Sequence, residues 1–501
     1  MKNYIRIIAF ILAMLTIAGF AVACAEVDAP EETTEGSAET VAPGEEVTTA
    51  DSSKDENGYL KDDLPETLDL KEKLVLFMWE DYTMREFYAD ETGDTIDDAI
   101  YKRNIAVQTR LNVEIEYVEE QGASGDYPAW VKKAETDFNS DNYYDLYAGY
   151  SRSAPEMAMK GMCANLLETE YFDVEKPWWP KALTEECVIN DKLYFCTGDI
   201  STNMLWMMTA TYYNKDMFES RYAGQKTPMD LVESNEWTLD AFIGMAKDLY
   251  TDNGDGTKNE EDTFGYALYE TNLDAFQTAA GVVSVVKNAD GELQISDDFK
   301  SERLQKVCEL IGAFIKTDDC IHSSSTGIRE VFFAQRALFM TDRLFVIAGK
   351  DSQETNRIEF DYGIVPQPKY ETSQETFMTN VGHPFSMYAI NSQSKKLVAC
   401  SAWIEAMGSQ SYRSVTPAVF EVAMKVRYND DPQATQMFDI LKDNVSFDLG
   451  RLYASTFVNH TANLFRLTTL SDNPSGYLSQ VRKYSVVLDK GIAKLVESFE
   501  D

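Results

Sequence analysis

The chain has 501 residues, 84 of them acidic and 45 basic, for a formal charge of −39. So negative a chain lacks the basic footprint of a nucleic-acid binder, and it repels anionic lipid heads. Its length exceeds a single core and predicts two lobes.

Lys2 and Arg6 precede an apolar, uncharged run from Ile7 to Ala23, then Cys24. This is the pattern of a secretory signal, here residues 1–23. The run is shorter than the ~20 residues that span a bilayer comfortably. Ala21-Val22-Ala23-Cys24 resembles a bacterial lipobox, which implies acylation of Cys24 and anchoring at the extracellular face of the cell membrane. Residues 24–63 read as an acidic, disordered tether. Ala25 to Asp63 holds thirteen acids, two lysines and neither Trp nor Phe. Such a stretch buries too little apolar surface to offset ordering, and its charges extend it.

Leu74 to Trp79 is a continuous apolar run, predicting a strand covered on both faces. Thr95 to Leu111 reads as a helix, Val113 to Val118 as a strand, and Tyr127 to Phe138 as a helix with Pro128 in its first turn. Tyr144 to Ala148 reads as a third strand, ending at Gly149-Tyr150. A helix follows over Ala154 to Lys160, closed by Gly161. The alternation predicts a parallel, doubly wound α/β sheet whose ligand lies beyond the carboxyl ends of its strands, where Trp79 and Tyr150-Ser151 fall.

Pro177-Trp178-Trp179-Pro180 is extended through its middle, since each proline disfavours helix before it. Its tryptophans read as structural or rim residues. Lys192 to Thr197 is expected as a strand, Gly198-Asp199 as a turn, and Leu205 to Tyr213 as the strand leaving the first lobe. Asn214-Lys215 starts a helix. Trp237 to Tyr250 is amphipathic, capped by Thr238 or Asn235. Residues 251–262 resemble an EF-hand or dockerin calcium loop. Asn253, Asp255, the Thr257 carbonyl, Asn259 and Asp262 stand at suitable positions and Gly256 at the turn. Thr251 stands where aspartate is expected, and a polar Asx-rich loop is the alternative. Leu304 to Lys316 is helical. Val331 to Met340 runs from helix into strand, with Asp342-Arg343 at its end. Tyr362 to Pro366 and Phe385 to Ile390 are strands, Lys395 to Gly408 is a helix, and Tyr412 onward is mostly helical.

With Cys24 assigned to the signal, six cysteines remain. Cys187 with Cys196, and Cys308 with Cys320, are the pairs near enough in sequence to bridge. Buried free thiols are an equal expectation. No CxxC, zinc spacing, G-x-S-x-G, HExxH or P-loop occurs.

Several fragments, in order, resemble extracellular solute-binding proteins of bacterial ABC importers, family 1 type. They are Gly161 with Ala164-Asn165-Leu166, Pro177-Trp178-Trp179, Leu193-Tyr194, Gly198 to Ser201 and Tyr213-Asn214-Lys215. Ala337-Leu338-Phe339, Asp361 to Pro366 with Pro368-Lys369-Tyr370, and Phe447 to Gly450 continue the series. The resemblance implies a type II periplasmic-binding fold, two α/β lobes joined by a hinge. The lobes would be 64–210 with 367–415, and 211–366 with 416–501. It also implies a sugar or oligosaccharide cargo, a permease partner, a monomer and no catalytic role. Peptide or another small solute is the alternative cargo, and a surface glycoside hydrolase the distant one. Glu80 and Asp81 do not make the carboxylate pair such an enzyme needs, because neighbours on a strand end point apart. Sugar faces suit aromatic rings, and their hydroxyls suit carboxylates, amides and guanidiniums. The candidates at strand ends are Trp79, Glu80, Tyr82, Tyr150, Asp199, Asn203, Trp206, Asp342, Arg343 and His383.

Overall fold

The computed structural model describes residues 53–80, 86–348, 358–425 and 432–500. The signal segment, Cys24, most of the tether and Tyr82 lie outside them. Thirteen strands are assigned among the described residues. In chain order they are β1 (Glu72–Trp79), β2 (Val113–Glu120), β3 (Leu146–Tyr150), β4 (Thr209–Asn214), β5 (Phe264–Tyr269), β6 (Val285–Lys287), β7 (Leu293–Ile295), β8 (Cys320–Ser323), β9 (Ala337–Arg343), β10 (Tyr362–Val365), β11 (Thr379–Asn380), β12 (Ser386–Ile390) and β13 (Val445–Ser446).

Two sheets organise these strands: β12-β3-β1-β2, and β10-β4-β9-β5-β8. The apolar run of β1 sits in the first sheet, parallel to β2 and β3, with Leu76 opposite Leu146 and Ile115 opposite Leu74. The expected parallel character holds there. It stops at the late-arriving strand, since β12 lies antiparallel on β3. In the second sheet β4 is antiparallel to both β9 and β10. The fold is that of type II periplasmic-binding proteins, two α/β lobes around two wound sheets.

Local sequence explains the first helix, Thr95–Leu111. Asp94 caps it by accepting from the amides of Ile96 and Asp97, and Asn112 ends it in the left-handed region at φ 49°. Asn caps in this role because its short polar side chain tolerates that conformation. Behind the first sheet, Trp130 stacks on Phe77 at 4.5 Å, and Phe77 on Tyr144 at 4.4 Å. Gly149 permits this approach: a Cβ there would sit 3.0 Å from the Trp130 ring.

The chain leaves the first sheet after β3, touches it again where Cys196 bridges Tyr388, and enters the second at Thr209. It returns between Val365 and Ser386. The two passages are tied to each other. Met208 bridges Val381, and the Gly382 amide donates to the Met207 carbonyl at 2.8 Å.

Three expectations are corrected. Lys192 to Thr197 is not a strand, because the segment meets its neighbours only as isolated bridges at Lys192 and Cys196. Leu205 to Tyr213 is not one strand. Ser201 accepts from the Met204 amide and starts a helix, Thr202–Trp206, before β4 begins. A short apolar run cannot distinguish buried helix from buried strand, and here a cap decided it. The cysteine pairs do not bridge: Cys163, Cys187, Cys196, Cys308, Cys320 and Cys400 are all buried free thiols. Burial pushes the Cys308 thiol up to about 12, so it stays protonated and unreactive.

Residues 53–63, expected in the tether, are part of the folded unit that begins at Ser52. Lys54 bridges Leu60 around a turn in which Asp55 accepts from the amides of Asn57 and Tyr59. Asp62 then binds Arg110 at 2.6 and 3.0 Å. These specific bonds order a stretch whose composition alone argues for disorder.

Candidate functional site

Three strands of the first sheet bring their ends together. β1 and β3 finish at Trp79 and Tyr150, and antiparallel β12 starts beside them at Ser386. Trp79 is fully buried, and its indole N–H donates to Ser386 Oγ at 2.9 Å. Its ring meets Tyr150 edge-on at 5.9 Å, and Tyr150 stacks on Tyr127 at 5.5 Å. The order is a support under a platform: Trp79 holds Tyr150, which holds half-buried Tyr127 at the outside.

His383, on the returning passage, packs 5.5 Å from Tyr150 and 5.9 Å from Phe385. Its Nδ1 is hydrogen-bonded to Ser151 Oγ. From the second sheet, Arg343 ends β9 and donates from Nη1 to the His383 carbonyl at 3.0 Å. Its guanidinium lies over Phe345 at 4.7 Å. Gly382 makes room for it, since a Cβ there would stand 2.8 Å from Arg343 Cδ. The carboxyl-terminal region adds Asn459, whose Oδ1 accepts from Arg152 Nη1 at 3.1 Å.

The centre is cationic despite the acidic chain. Burial holds the His383 imidazole well below its ordinary range, and the positive charges of Arg152, Arg451 and Arg343 lower it further. It is therefore neutral near pH 7. Arg451 and Arg466 share Asp274, at 3.2 and 2.8 Å. Buried side-chain atoms without a hydrogen-bond partner among the described residues gather here: Arg152 Nε, Arg343 Nε, His383 Nε2 and Asp274 Oδ1. The backbone beside them is also unusual. Val458 and Asn459 have φ of 52° and 59°. A β-branched residue in that region is strained, and such strain gathers at binding clamps.

The structure brings Trp79, Tyr150, Arg343 and His383 into this cluster. Glu80 lies at its edge, its amide tied to the Glu120 carbonyl at 2.8 Å. Asp342 is buried and held by Arg329, Nε at 2.6 Å and Nη2 at 3.3 Å, so its carboxylate serves an internal ion pair. Asn203 and Trp206 are buried in the short helix before the crossing. The Asn203 amide N–H donates to Glu86, while its side-chain amide has no hydrogen-bond partner among the described residues. Asp199 is elsewhere. It accepts from Thr416 and pairs with Lys442 at 3.1 Å, in the wall of a separate cavity of about 770 Å³ beside Trp178 and Trp179. Of the side chains lining that cavity, Trp178 alone has a buried polar atom, its Nε1, without a hydrogen-bond partner among the described residues. Its tryptophans are structural: both are buried, and Trp179 donates to Glu405 at 3.2 Å.

Sequence reading placed Ser151 at a strand end but missed Tyr127, Arg152, Arg451 and Asn459. Arg152 carried a usable signal, as an arginine two residues past a strand end in a strongly acidic chain. Arg451 and Asn459 carried none, because the helical tail gives no hint of which turn faces the sheets.

In the 251–262 loop the polar side chains face their own backbone. Asn253 accepts from the Asp255 amide, Asp255 from Thr257, Asn259 from Glu261, and Asp262 from Asn253 and Asn259. Among the described residues no group of three or more Asp, Glu, His or Cys side chains is arranged to hold a metal ion.

No family model matches the chain, and no curated protein matches it. Solved structures do. An extracellular solute-binding protein from Staphylococcus aureus in complex with maltose aligns with TM-score 0.54 at 11% identity, over 86% of this chain and 99% of that one. A cyclo/maltodextrin-binding protein complexed with maltotetraose gives 0.52 at 12%, over 85% and 97%. An ABC substrate-binding protein from Listeria monocytogenes in complex with cycloalternan gives 0.51 at 13%, over 83% and 98%. Nearly the whole of each neighbour is covered, so the chain has the complete two-lobed fold of the extracellular solute-binding proteins.

Proposed function

We propose that this chain is the extracellular substrate-binding component of an ABC importer. It would take a carbohydrate or oligosaccharide between its two lobes and present it to a permease, while a lipid on Cys24 holds it at the membrane. One observation carries the reading. The aromatic platform of Tyr127 and Tyr150, and the donors of Arg152, Arg343 and His383, gather by the carboxyl ends of β1, β3 and β9. Open α/β sheets bind ligands at that position. The sugar complexes of the structural neighbours support the same cargo class.

The mechanism follows from the two passages between the sheets. They are bonded to each other at Met207–Met208 and Val381–Gly382, so they bend together as a hinge. Arg343 and His383 sit beside that hinge, Arg343 at the end of β9 and His383 on the returning passage, joined by the bond from Arg343 Nη1 to the His383 carbonyl. A ligand that contacts both sides binds the closed form better than the open one, and this difference shifts the equilibrium toward closure. Rings supply flat apolar area for sugar faces with little rotamer entropy to lose. Nothing in this action requires a bond to be made or broken.

Calorimetry against neutral and acidic oligosaccharides, with peptides as controls, tests the proposal. Saturable binding to a saccharide, with compaction in solution scattering, is the expected result. Binding to peptides alone, or to nothing, overturns it.

A further inference from the structure

We infer that the cargo carries an oxyanion: a saccharide with a uronic-acid carboxylate or a sulfate ester. This rests on the carbohydrate reading above and narrows it. Three guanidiniums, those of Arg152, Arg343 and Arg451, act on His383, and Arg466 joins them through Asp274. Asp274 answers the last two. Asp342 is 3.6 Å from Arg343 but is held more closely by Arg329. Asp448 also faces Arg451, yet it is bonded to the Ser284 amide and hydroxyl. Among the described residues Arg152 has neutral partners in its hydrogen bonds, Asn459 and the Tyr127 hydroxyl.

Partly buried positive charge without a close anion is costly to hold. It persists here in a chain of charge −39, where acidic partners are abundant. The buried Nε atom of Arg152 has no hydrogen-bond partner among the described residues, Arg343 Nε has Asp342 Oδ1 only at 3.6 Å, beyond hydrogen-bond reach, and a guanidinium edge matches a planar or trigonal oxyanion. Asp274 Oδ1 supplies the complement, a lone acceptor suited to a sugar hydroxyl. Neutral His383 adds a polar atom without a further charge. A neutral glycan would use the rings and Asp274 but leave both guanidinium edges unanswered. Free inorganic anions would use the guanidiniums but not the rings.

The test uses the full chain and four probes of equal length: an oligouronate, the same oligomer with its carboxyls reduced to alcohols, a sulfated oligosaccharide and a neutral maltooligosaccharide. The oligouronate or the sulfated probe is expected to bind at least tenfold more tightly than the neutral pair. That margin should shrink as salt rises, and whichever probe binds identifies the oxyanion. Arg152→Gln and Arg343→Gln should each erase the margin, with melting temperature measured to confirm folding. If either variant fails to fold, the reduced and unreduced oligomers still make the comparison on the unaltered chain. Equal or tighter binding of the neutral probes overturns the oxyanion and leaves the carbohydrate reading standing. Binding of none of the four overturns both.

Discussion

Strand β3 passes through two environments within four residues. At Gly149 it presses on Trp130 in a packed aromatic stack. At Tyr150 to Arg152 it enters a polar cluster where side-chain nitrogens are buried and unpaired. The stack is buried and the cluster partly so, and both use aromatic rings. They differ in what would satisfy them. In the stack, ring meets ring at 4.4 and 4.5 Å, and the Trp130 indole Nε1 is its buried polar atom without a hydrogen-bond partner among the described residues. The cluster gathers Arg152 Nε, Arg343 Nε, His383 Nε2 and Asp274 Oδ1 without such partners among the described residues. Neither burial nor one unpaired atom marks a binding site, but several unanswered hydrogen-bonding groups gathered in one place do.

The largest effect should come from the packed side. Trp130→Ala removes the ring joining helix Tyr127–Phe138 to β1, and should lower stability by about 3–5 kcal/mol. Chemical denaturation measures it. Ligand affinity of the molecules that remain folded should change little. If affinity collapses while stability holds, the two regions are not separable and the contrast fails.

On the other side the effects should reverse. Tyr127→Ala trims the outermost ring of the platform and should weaken saccharide binding by about 1–2 kcal/mol, seen by calorimetry. The melting temperature should move little, because Tyr127 is only half-buried. A variant that melts much earlier yet binds normally would assign Tyr127 to the core instead.

How much of this was readable follows the same division. β1 was legible because six of its residues form an unbroken apolar run, and the first helix because Ile96, Ile100, Ile105 and Val107 form an apolar stripe with charges between them. Trp79, Tyr150 and Arg343 were chosen as residues at strand ends and His383 as one ahead of β12, and these four lie together in the cluster. Asp199 was misleading. A Gly-Asp turn next to an apolar run resembles a site, yet its carboxylate is held by Lys442 in another part of the fold. The pairing of Arg152 with Asn459 spans 307 positions, and no local pattern encodes such a contact. Residues 53–63 taught the converse. Their composition predicts disorder, but buried Asp62 has a specific partner in Arg110.

That partner offers a control for the charges of the site. Burial opposes ionisation of Asp62, but bonds from Arg110 and Ser409 and the charges of Arg110 and Arg413 outweigh it, so its carboxyl lies below the ordinary range. A depressed carboxyl stabilises the fold above its unfolded pKa of about 3.9 and loses that contribution as pH falls through the folded value. Asp62→Asn should therefore cost about 1 kcal/mol near neutral pH and progressively less below pH ~4. Thermal melts of both proteins across pH give the difference. A cost that persists undiminished at pH ~2 would mean that shape, not charge, ties this strap to the body.

The smallest expected effect concerns residues 251–262. A calcium loop and an Asx-turn loop use the same residues, but their oxygens face different ways. Calcium requires six to eight oxygens converging on one point. Here Asn253, Asp255, Asn259 and Asp262 accept from amides within the loop, and Asp262 also accepts from the Tyr250 hydroxyl at 3.1 Å. Binding an ion would require those bonds to be exchanged for coordination, in a loop whose first position is Thr251 rather than an acid. Millimolar calcium should shift the melting temperature by less than about 1 °C, because a ligand stabilises only to the extent that it exceeds its dissociation constant. Asp262→Asn should matter more than the metal does, since it weakens the two bonds that close the loop onto Asn253 and Asn259. A rise of several degrees with calcium, abolished by Asp262→Asn, would show that the loop reorganises around an ion and that its amide bonds are only its resting arrangement.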